Sequence, residues 1–111
     1  MKRLTNKQYI ACRNHYMRMI EWVKTQLPDE PTDCDKMLSE IKEDWYIDHC
    51  VLCDKYFYYD CYGCPLLENG NSCADNSSCW NRLADSLTWA EWLINAQKML
   101  DLFDDLRGET K

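Results

Sequence analysis

The feature that most constrains this chain is a run of six cysteines between positions 50 and 79, spaced as Cys-x2-Cys-x7-Cys-x2-Cys-x8-Cys-x5-Cys. Two Cys-x2-Cys pairs joined by a short connector are typical of a metal site, because a two-residue spacer lets both thiolates point at one ion. Four thiolates around Zn2+ form a closed tetrahedral site, which is structural rather than catalytic. The ligands that we predict for a structural Zn2+ are Cys50, Cys53, Cys61 and Cys64.

The spacing leaves the ligand set partly open. Cys73 or Cys79 could replace one of the four thiolates, and His49 is a further candidate because it lies beside the first Cys-x2-Cys pair. Cys12 and Cys34 fall on the apolar stripes of predicted helices, so we interpret them as small core residues.

Three other interpretations of the cysteines compete with zinc. Disulfides are disfavoured because nothing in the sequence indicates secretion. Cys61-Tyr62-Gly63-Cys64 has the spacing of a redox dithiol, but no βαβ pattern surrounds it. An iron–sulfur cluster is disfavoured because the seven-residue gap does not match ferredoxin spacings.

On either side of the cysteine segment the apolar residues recur at helical spacing. The first helix is predicted from about Asn6 to Leu27, beginning at a Thr5–Gln8 capping box, and Pro28 and Pro31 follow it. Its predicted apolar stripe contains Tyr9, Cys12, Tyr16, Met19 or Ile20, Val23 and Leu27.

The second helix is predicted from Thr32 or Asp33 to about Tyr46. Helical periodicity resumes near residue 77, as one bent helix or as two helices with a second capping box at Thr88 and Glu91; Gly108 suits a C-cap. We therefore predict a single, mainly α domain of three or four helices: a helical hairpin over 1–46, a zinc-stapled irregular loop over 47–76, and a C-terminal helical region over 77–107. The first and last helices are expected to pack antiparallel.

Composition excludes several classes of protein. The 111 residues carry 13 Lys and Arg against 19 Asp and Glu, a net charge of −6, so a uniformly basic nucleic-acid binder is disfavoured. Hydrophobic residues make up 46% of the chain, enough to bury a core. No apolar run approaches the roughly 20 residues needed to span a bilayer, and no signal-peptide core follows the basic start. We expect a cytoplasmic protein with no membrane partner.

The charge is unevenly distributed. Residues 1–27 hold six basic residues and one acid, whereas residues 28–111 hold seven basic residues and eighteen acids. Such an imbalance fits either helix faces of opposite sign that pack together or a surface that meets a charged partner. The residues that we single out as anion-binding candidates on the first helix are Lys7, Arg13 and Arg18.

Five aromatic residues crowd into seven positions of the cysteine segment: Tyr56, Phe57, Tyr58, Tyr59 and Tyr62. A metal-fixed loop would hold them in place, and exposed tyrosines are common interface anchors. They are candidate partner-binding residues, although they could equally pack on the helices and cover the metal.

The block from Trp45 to Leu66, with its Cys-x2-Cys and Cys-x2-Cys-Pro-Leu elements, resembles small accessory proteins of tailed bacteriophages and prophages. Other pieces of the chain that resemble this group are Met19-Ile20-Glu21-Trp22, Gly70-x2-Cys73, Trp89 and Trp92. Cys79 is an addition to its pattern. These proteins have no assigned activity, so the resemblance implies a phage origin more than a mechanism.

The sequence favours a non-enzymatic binding protein. It contains no phosphate-cradling Gly-rich loop, no His-Glu-x2-His pair and no nucleophile elbow. The leading hypothesis is an anti-defence inhibitor or accessory factor that binds a host protein or sequesters a small nucleotide signal. The alternative is a zinc-containing nucleic-acid-binding or regulatory module that uses the basic first helix. Five tryptophans and two apolar stripes also make a homodimer plausible.

Overall fold

The computed structural model describes residues 3–45 and 79–107, and within these ranges the chain forms four helices and no strand. The predicted mainly α class is confirmed. The helices are α1 (Asn6–Val23), α2 (Cys34–Ile41), α3 (Cys79–Ala84) and α4 (Trp89–Leu106). None of them combines the length and apolar character that crossing a bilayer requires.

The start of α1 follows the sequence prediction, whereas its end does not. Thr5 Oγ1 accepts from the backbone N–H of Gln8, and Gln8 Oε1 accepts from the backbone N–H of Thr5, both at 3.0 Å, which is the predicted capping box. The helix ends at Val23, and Thr25 N–H then bonds to a carbonyl three residues back. Leu27, predicted as the last core position, is 68% exposed because Pro28 disfavours helical geometry in the residue before it.

The second helix is shorter than predicted, ending at Ile41 instead of near Tyr46. Asp33 caps its first turn by accepting from Lys36 N–H at 3.1 Å. Lys42 at its C-terminus has a left-handed conformation with φ of 62°, which terminates the helix. The residues after Lys42 therefore leave the helix direction.

The long helices α1 and α4 pack antiparallel, as predicted. Near the C-terminus of α1 the ring of Trp22 lies 5.3 Å from that of Trp89, at the start of α4. Farther along, Tyr16 contacts Phe103 with ring centroids 5.4 Å apart. Apolar residues recur at three- and four-residue spacing along α4, and this stripe is buried at Trp92, Ala96, Met99, Phe103 and Leu106.

The two connectors at one end of this pair are joined through their backbones. Trp89 N–H donates to Glu30 O at 3.1 Å, Ala90 N–H donates to Pro28 O at 3.0 Å, and Thr32 N–H donates to Leu87 O at 3.2 Å. These bonds hold the α1–α2 connector against the α3–α4 connector. Gly108, expected as a C-cap, lies outside the described residues; the cap of α4 is Arg107.

Candidate functional site

Most of the predicted site residues lie in positions 46–78, outside the described residues. They are His49, Cys50, Cys53, Tyr56, Phe57, Tyr58, Tyr59, Cys61, Tyr62, Cys64 and Cys73. The predicted zinc ligands and aromatic anchors therefore stay predictions. What the structure does describe is the helical frame on both sides of that segment.

The two ends of the undescribed segment are held together by the frame. The indole N–H of Trp80, two residues after the segment, donates to the backbone carbonyl of Trp45, the last described residue before it, at 2.6 Å. This bond joins positions 35 residues apart in the chain. We call Trp45, Cys79 and Trp80 the segment base, since residues 46–78 leave and return to the frame there.

A cluster of tryptophan rings supports the segment base. The ring of Trp45 is tilted against that of Trp92 with 5.6 Å between centroids, and it meets Trp89 edge-on at 6.2 Å. Trp89 in turn contacts Trp22 of α1. Trp45 is 4% exposed, and Trp89 and Trp92 are buried at 1% and 0%. Edge-to-face aromatic pairs add about 0.5–1.5 kcal/mol each beyond simple burial, so the cluster stabilises the packing around the segment base.

The chain just before Trp45 is fixed to α1 by an ionic contact. Glu43 accepts two hydrogen bonds from the Arg18 guanidinium, at 2.6 Å each, and lies 2.8 Å from His15 Nδ1. A carboxylate can only accept, so His15 donates from Nδ1. The Arg18 hydrogen bonds, helped by His15, outweigh partial burial and lower the pKa of Glu43. Glu43 is therefore ionised at neutral pH, and its bonds to His15 and Arg18 hold the residues just before Trp45 against α1.

The three anion-binding candidates on α1 differ in their surroundings. Arg18 is paired with Glu43 in the bidentate geometry that guanidinium groups prefer. Lys7 and Arg13 are exposed and form no ion pair with any described residue. Lys7 and Arg13 are thus the two anion-binding candidates whose charge no described acidic side chain neutralises.

The described cysteines do not assemble a metal site within residues 3–45 and 79–107, where no three Cys, His, Asp or Glu side chains gather suitably. Cys12 is buried on α1, as predicted for a core residue. Cys34 is half-buried, and desolvation together with nearby carboxylates raises its thiol pKa, which keeps it protonated. Cys79, a reserve ligand, is partly buried at the segment base.

An open groove of about 550 Å³ lies between α1 and the chain around α2. It is lined by Met17, Arg18, Glu21, Trp22, Ile41 and Glu43. Its walls are mainly apolar, and the ion pair of Arg18 with Glu43 occupies one edge. The groove presents no converging catalytic groups.

Two buried residues of this region, His15 and Trp22, are not part of the predicted stripe of α1; they are 7% and 8% exposed. Both lie beside the predicted stripe of α1, on the flank that faces α2 and the chain after it. A helix that packs against neighbours on two sides buries more than one stripe. In the sequence, His15 and Trp22 directly adjoin the stripe residues Tyr16 and Val23. That position was the one available sign that they could be buried.

Comparisons with protein-family models, with curated proteins and with solved structures yield no match to this chain.

Proposed function

We propose that this chain is a non-enzymatic binding protein of the phage accessory type. In this proposal residues 47–76 bind one structural Zn2+ through Cys50, Cys53, Cys61 and Cys64. The helical frame presents the zinc-stabilised segment to a bacterial host protein, which the chain inhibits or redirects as an anti-defence factor.

The observation that carries the proposal is the segment base. Because Trp80 donates to the carbonyl of Trp45, the 33 residues at positions 46–78 begin and end beside one hydrogen bond. Closing a loop of this length costs conformational entropy, and a metal clip inside a closed loop restricts the remaining freedom. A frame that anchors both ends of a cysteine-rich segment is suited to presenting that segment as a unit.

The sequence adds the nature of the contact. Five aromatic residues fall between the two Cys-x2-Cys pairs or inside the second one, and tyrosine is enriched at interface anchors. The segment is also acidic, with Lys55 as its one basic residue, so it suits a basic protein surface better than a phosphate backbone. An acidic inhibitor of this kind would occupy a nucleic-acid channel of a host nuclease.

Metal analysis with native mass spectrometry tests the zinc half of the proposal. We expect one Zn2+ per chain in the wild type and none in the Cys61→Ser/Cys64→Ser variant. Cys34→Ser is the matched control, since that thiol lies on α2 and is expected to leave the metal content unchanged. A metal-free wild-type protein with paired disulfides would contradict the proposal.

Capture of host proteins from a bacterial lysate tests the binding half. A protein retained by the wild type and by Ile94→Ala, but lost with Tyr58→Ala/Tyr59→Ala and with Cys61→Ser/Cys64→Ser, would support presentation by the zinc segment. A protein retained equally by the wild type and all three variants would place the contact elsewhere and count against the proposal.

Exposed Lys7 and Arg13 favour a second candidate function, the binding of nucleic acid or a small nucleotide by α1. Fluorescence anisotropy with labelled DNA and RNA, and calorimetry with cyclic nucleotides, test it. Binding that persists near physiological salt and is lost in Lys7→Ala/Arg13→Ala would support nucleic-acid or nucleotide binding by α1. The absence of a binding signal for all of these ligands would contradict this second candidate function.

A further inference from the structure

The joined connectors form a surface that combines acidic and exposed apolar side chains. Residues 27–33 and 85–91 contain five acidic residues and no Lys or Arg. Within this surface Leu27 is 68% exposed and Leu87 is 75% exposed, two of the four large hydrophobic residues exposed in the described part of the chain. We call these two stretches the acidic corner.

The two exposed leucines of the acidic corner are held in the same way: the backbone N–H of each donates to a nearby glutamate side chain. Glu30 accepts from the backbone N–H of Leu27 at 3.2 Å, and Glu91 accepts from the backbone N–H of Leu87 at 3.0 Å. The cross-connector backbone bonds then fix both stretches relative to each other. A preorganised apolar surface loses little conformational freedom on binding, which favours association.

A second surface of the same chain has the opposite charge. Lys7, Ile10 and Arg13 follow one another at three-residue spacing on α1, so they lie side by side on one helix face. Ile10 is 46% exposed, and neither cation is paired with a described residue. The first turn of α1 also lacks an acidic residue that would offset its helix dipole. We call these three residues the basic strip.

The two surfaces cannot meet within one molecule. Ile10 and Leu27 lie near opposite ends of α1, which is about 27 Å long at 1.5 Å per residue. In a two-fold pair with the α1 helices running in opposite directions, each copy can place its acidic corner on the basic strip of the other. Both contacts then form at once, as closed two-fold symmetry requires.

We propose that the chain forms a two-fold homodimer in which the acidic corner of each copy docks on the basic strip of its partner. Leu27 and Leu87 supply the apolar part of each contact against Ile10. Asp29 and Asp85, whose carboxylates are paired with no described residue, face Lys7 and Arg13. The dimer does not depend on zinc or on the function proposed above.

A charge-swap experiment tests this pairing. One variant, Lys7→Glu/Arg13→Glu, reverses the charge of both cations of the basic strip. The other, Asp29→Lys/Asp85→Lys, reverses the charge of the two carboxylates of the acidic corner that face them. Both are expected to fold, because all four side chains are exposed and none forms an ion pair with a described residue. Circular dichroism checks that each variant retains its helix content.

Sedimentation equilibrium then measures self-association. We expect the wild type to dimerise, with association weakened severalfold between about 0.05 M and about 0.5 M salt. Each variant alone is expected to dimerise about tenfold more weakly, since the side chains at positions 29 and 85 and those at positions 7 and 13 then carry like charges. Mixed in equal amounts the two variants are expected to regain wild-type affinity, because every contact is again between opposite charges. Lys98→Glu, on the outer face of α4, is the matched control and should leave the affinity unchanged.

Three results would overturn the proposal. One is a wild type that stays monomeric at every accessible concentration, including the case in which its acidic corner instead binds a different, basic protein. Another is unchanged dimerisation in either charge-reversed variant. The third is a mixture of the two variants that associates no better than each alone.

Discussion

At one end of the α1–α4 pair the rings of Trp22, Trp89 and Trp92 form a dry cluster, whereas the other end is joined by polar groups. There Tyr9 donates to Asp104 at 2.5 Å, and the guanidinium of Arg107 lies 4.4 Å from the centre of the Tyr9 ring. The same two helices are thus held by apolar burial at one end and by partly exposed polar contacts at the other.

The two ends contribute differently to the free energy of unfolding: one supplies most of it, and the other supplies a smaller part that depends on pH. Apolar burial is insensitive to pH and is the larger contribution, at about 1.5–3 kcal/mol for one large side chain. Hydrogen bonds with exposed partners add about 0.5–1.5 kcal/mol, because water competes for the same groups. We therefore expect the tryptophan rings to determine whether the frame folds. The polar contacts of Tyr9 and Glu43 are expected to make its stability depend on pH.

The largest expected effect comes from the tryptophan end. Trp89→Ala removes the ring that contacts Trp22, Trp45 and Trp92, and should lower the free energy of unfolding by about 3–5 kcal/mol. Urea denaturation followed by circular dichroism measures this loss. Ile94→Ala, at a 62% exposed position of the same helix, is the control and should change it by less than about 0.5 kcal/mol. Similar losses in both variants would refute the contrast between the ends.

An intermediate effect is expected from Glu43, the ionic contact beside the segment base. Glu43→Gln should cost about 1 kcal/mol at neutral pH, a small value because the Arg18 side chain is 56% exposed. The lowered pKa of Glu43 gives the sign of the pH dependence. Its contribution is present above the unfolded pKa near 4.5 and is lost as the pH falls through the folded pKa. Urea denaturation at neutral and acidic pH should show the two proteins converging in acid; a gap that persists there would contradict this account.

The smallest effect is expected at the polar end. Tyr9→Phe removes one hydrogen bond to an exposed carboxylate and should cost about 0.5–1 kcal/mol near neutral pH. That bond, followed by burial, raises the pKa of Tyr9 above 10.0. The contribution of Tyr9 is therefore complete below pH 10 and is lost as the pH rises through the folded pKa.

Thermal unfolding of wild type and Tyr9→Phe across the alkaline range isolates this contribution from that of the other tyrosines. The wild-type advantage should shrink as the pH rises above 10.0. An advantage that stays constant there would show that the hydroxyl of Tyr9 does not stabilise the frame.

The parts of the fold that sequence could predict are those governed by local rules. The capping box at Thr5 and Gln8 and the N-cap at Thr88 depend on residues three apart, and both are present. The stripe of α4 was also predictable, because it depends on apolar residues that recur at three- and four-residue spacing. The residues of that stripe, Trp92, Ala96, Met99, Phe103 and Leu106, are all buried.

The parts that could not be predicted depend on contacts distant in sequence. The end of α2 is determined by a left-handed lysine, Lys42, for which the sequence holds no glycine or asparagine signal. The placement of Glu43 against Arg18 and His15 joins residues 25 and 28 positions apart. Likewise, no local pattern pairs Trp45 with Trp80, so the base of the candidate site became visible only in three dimensions.

The distribution of tryptophans gives the helical frame and the cysteine-rich segment different spectroscopic probes. All five tryptophans lie in the described helical frame, and four of them share ring contacts, whereas residues 46–78 contain tyrosine and phenylalanine but no tryptophan. Tryptophan emission therefore reports on the frame, and tyrosine absorbance reports mainly on the cysteine-rich segment. Changes in the cysteine-rich segment and unfolding of the helical frame can thus be followed as separate events in one unlabelled sample.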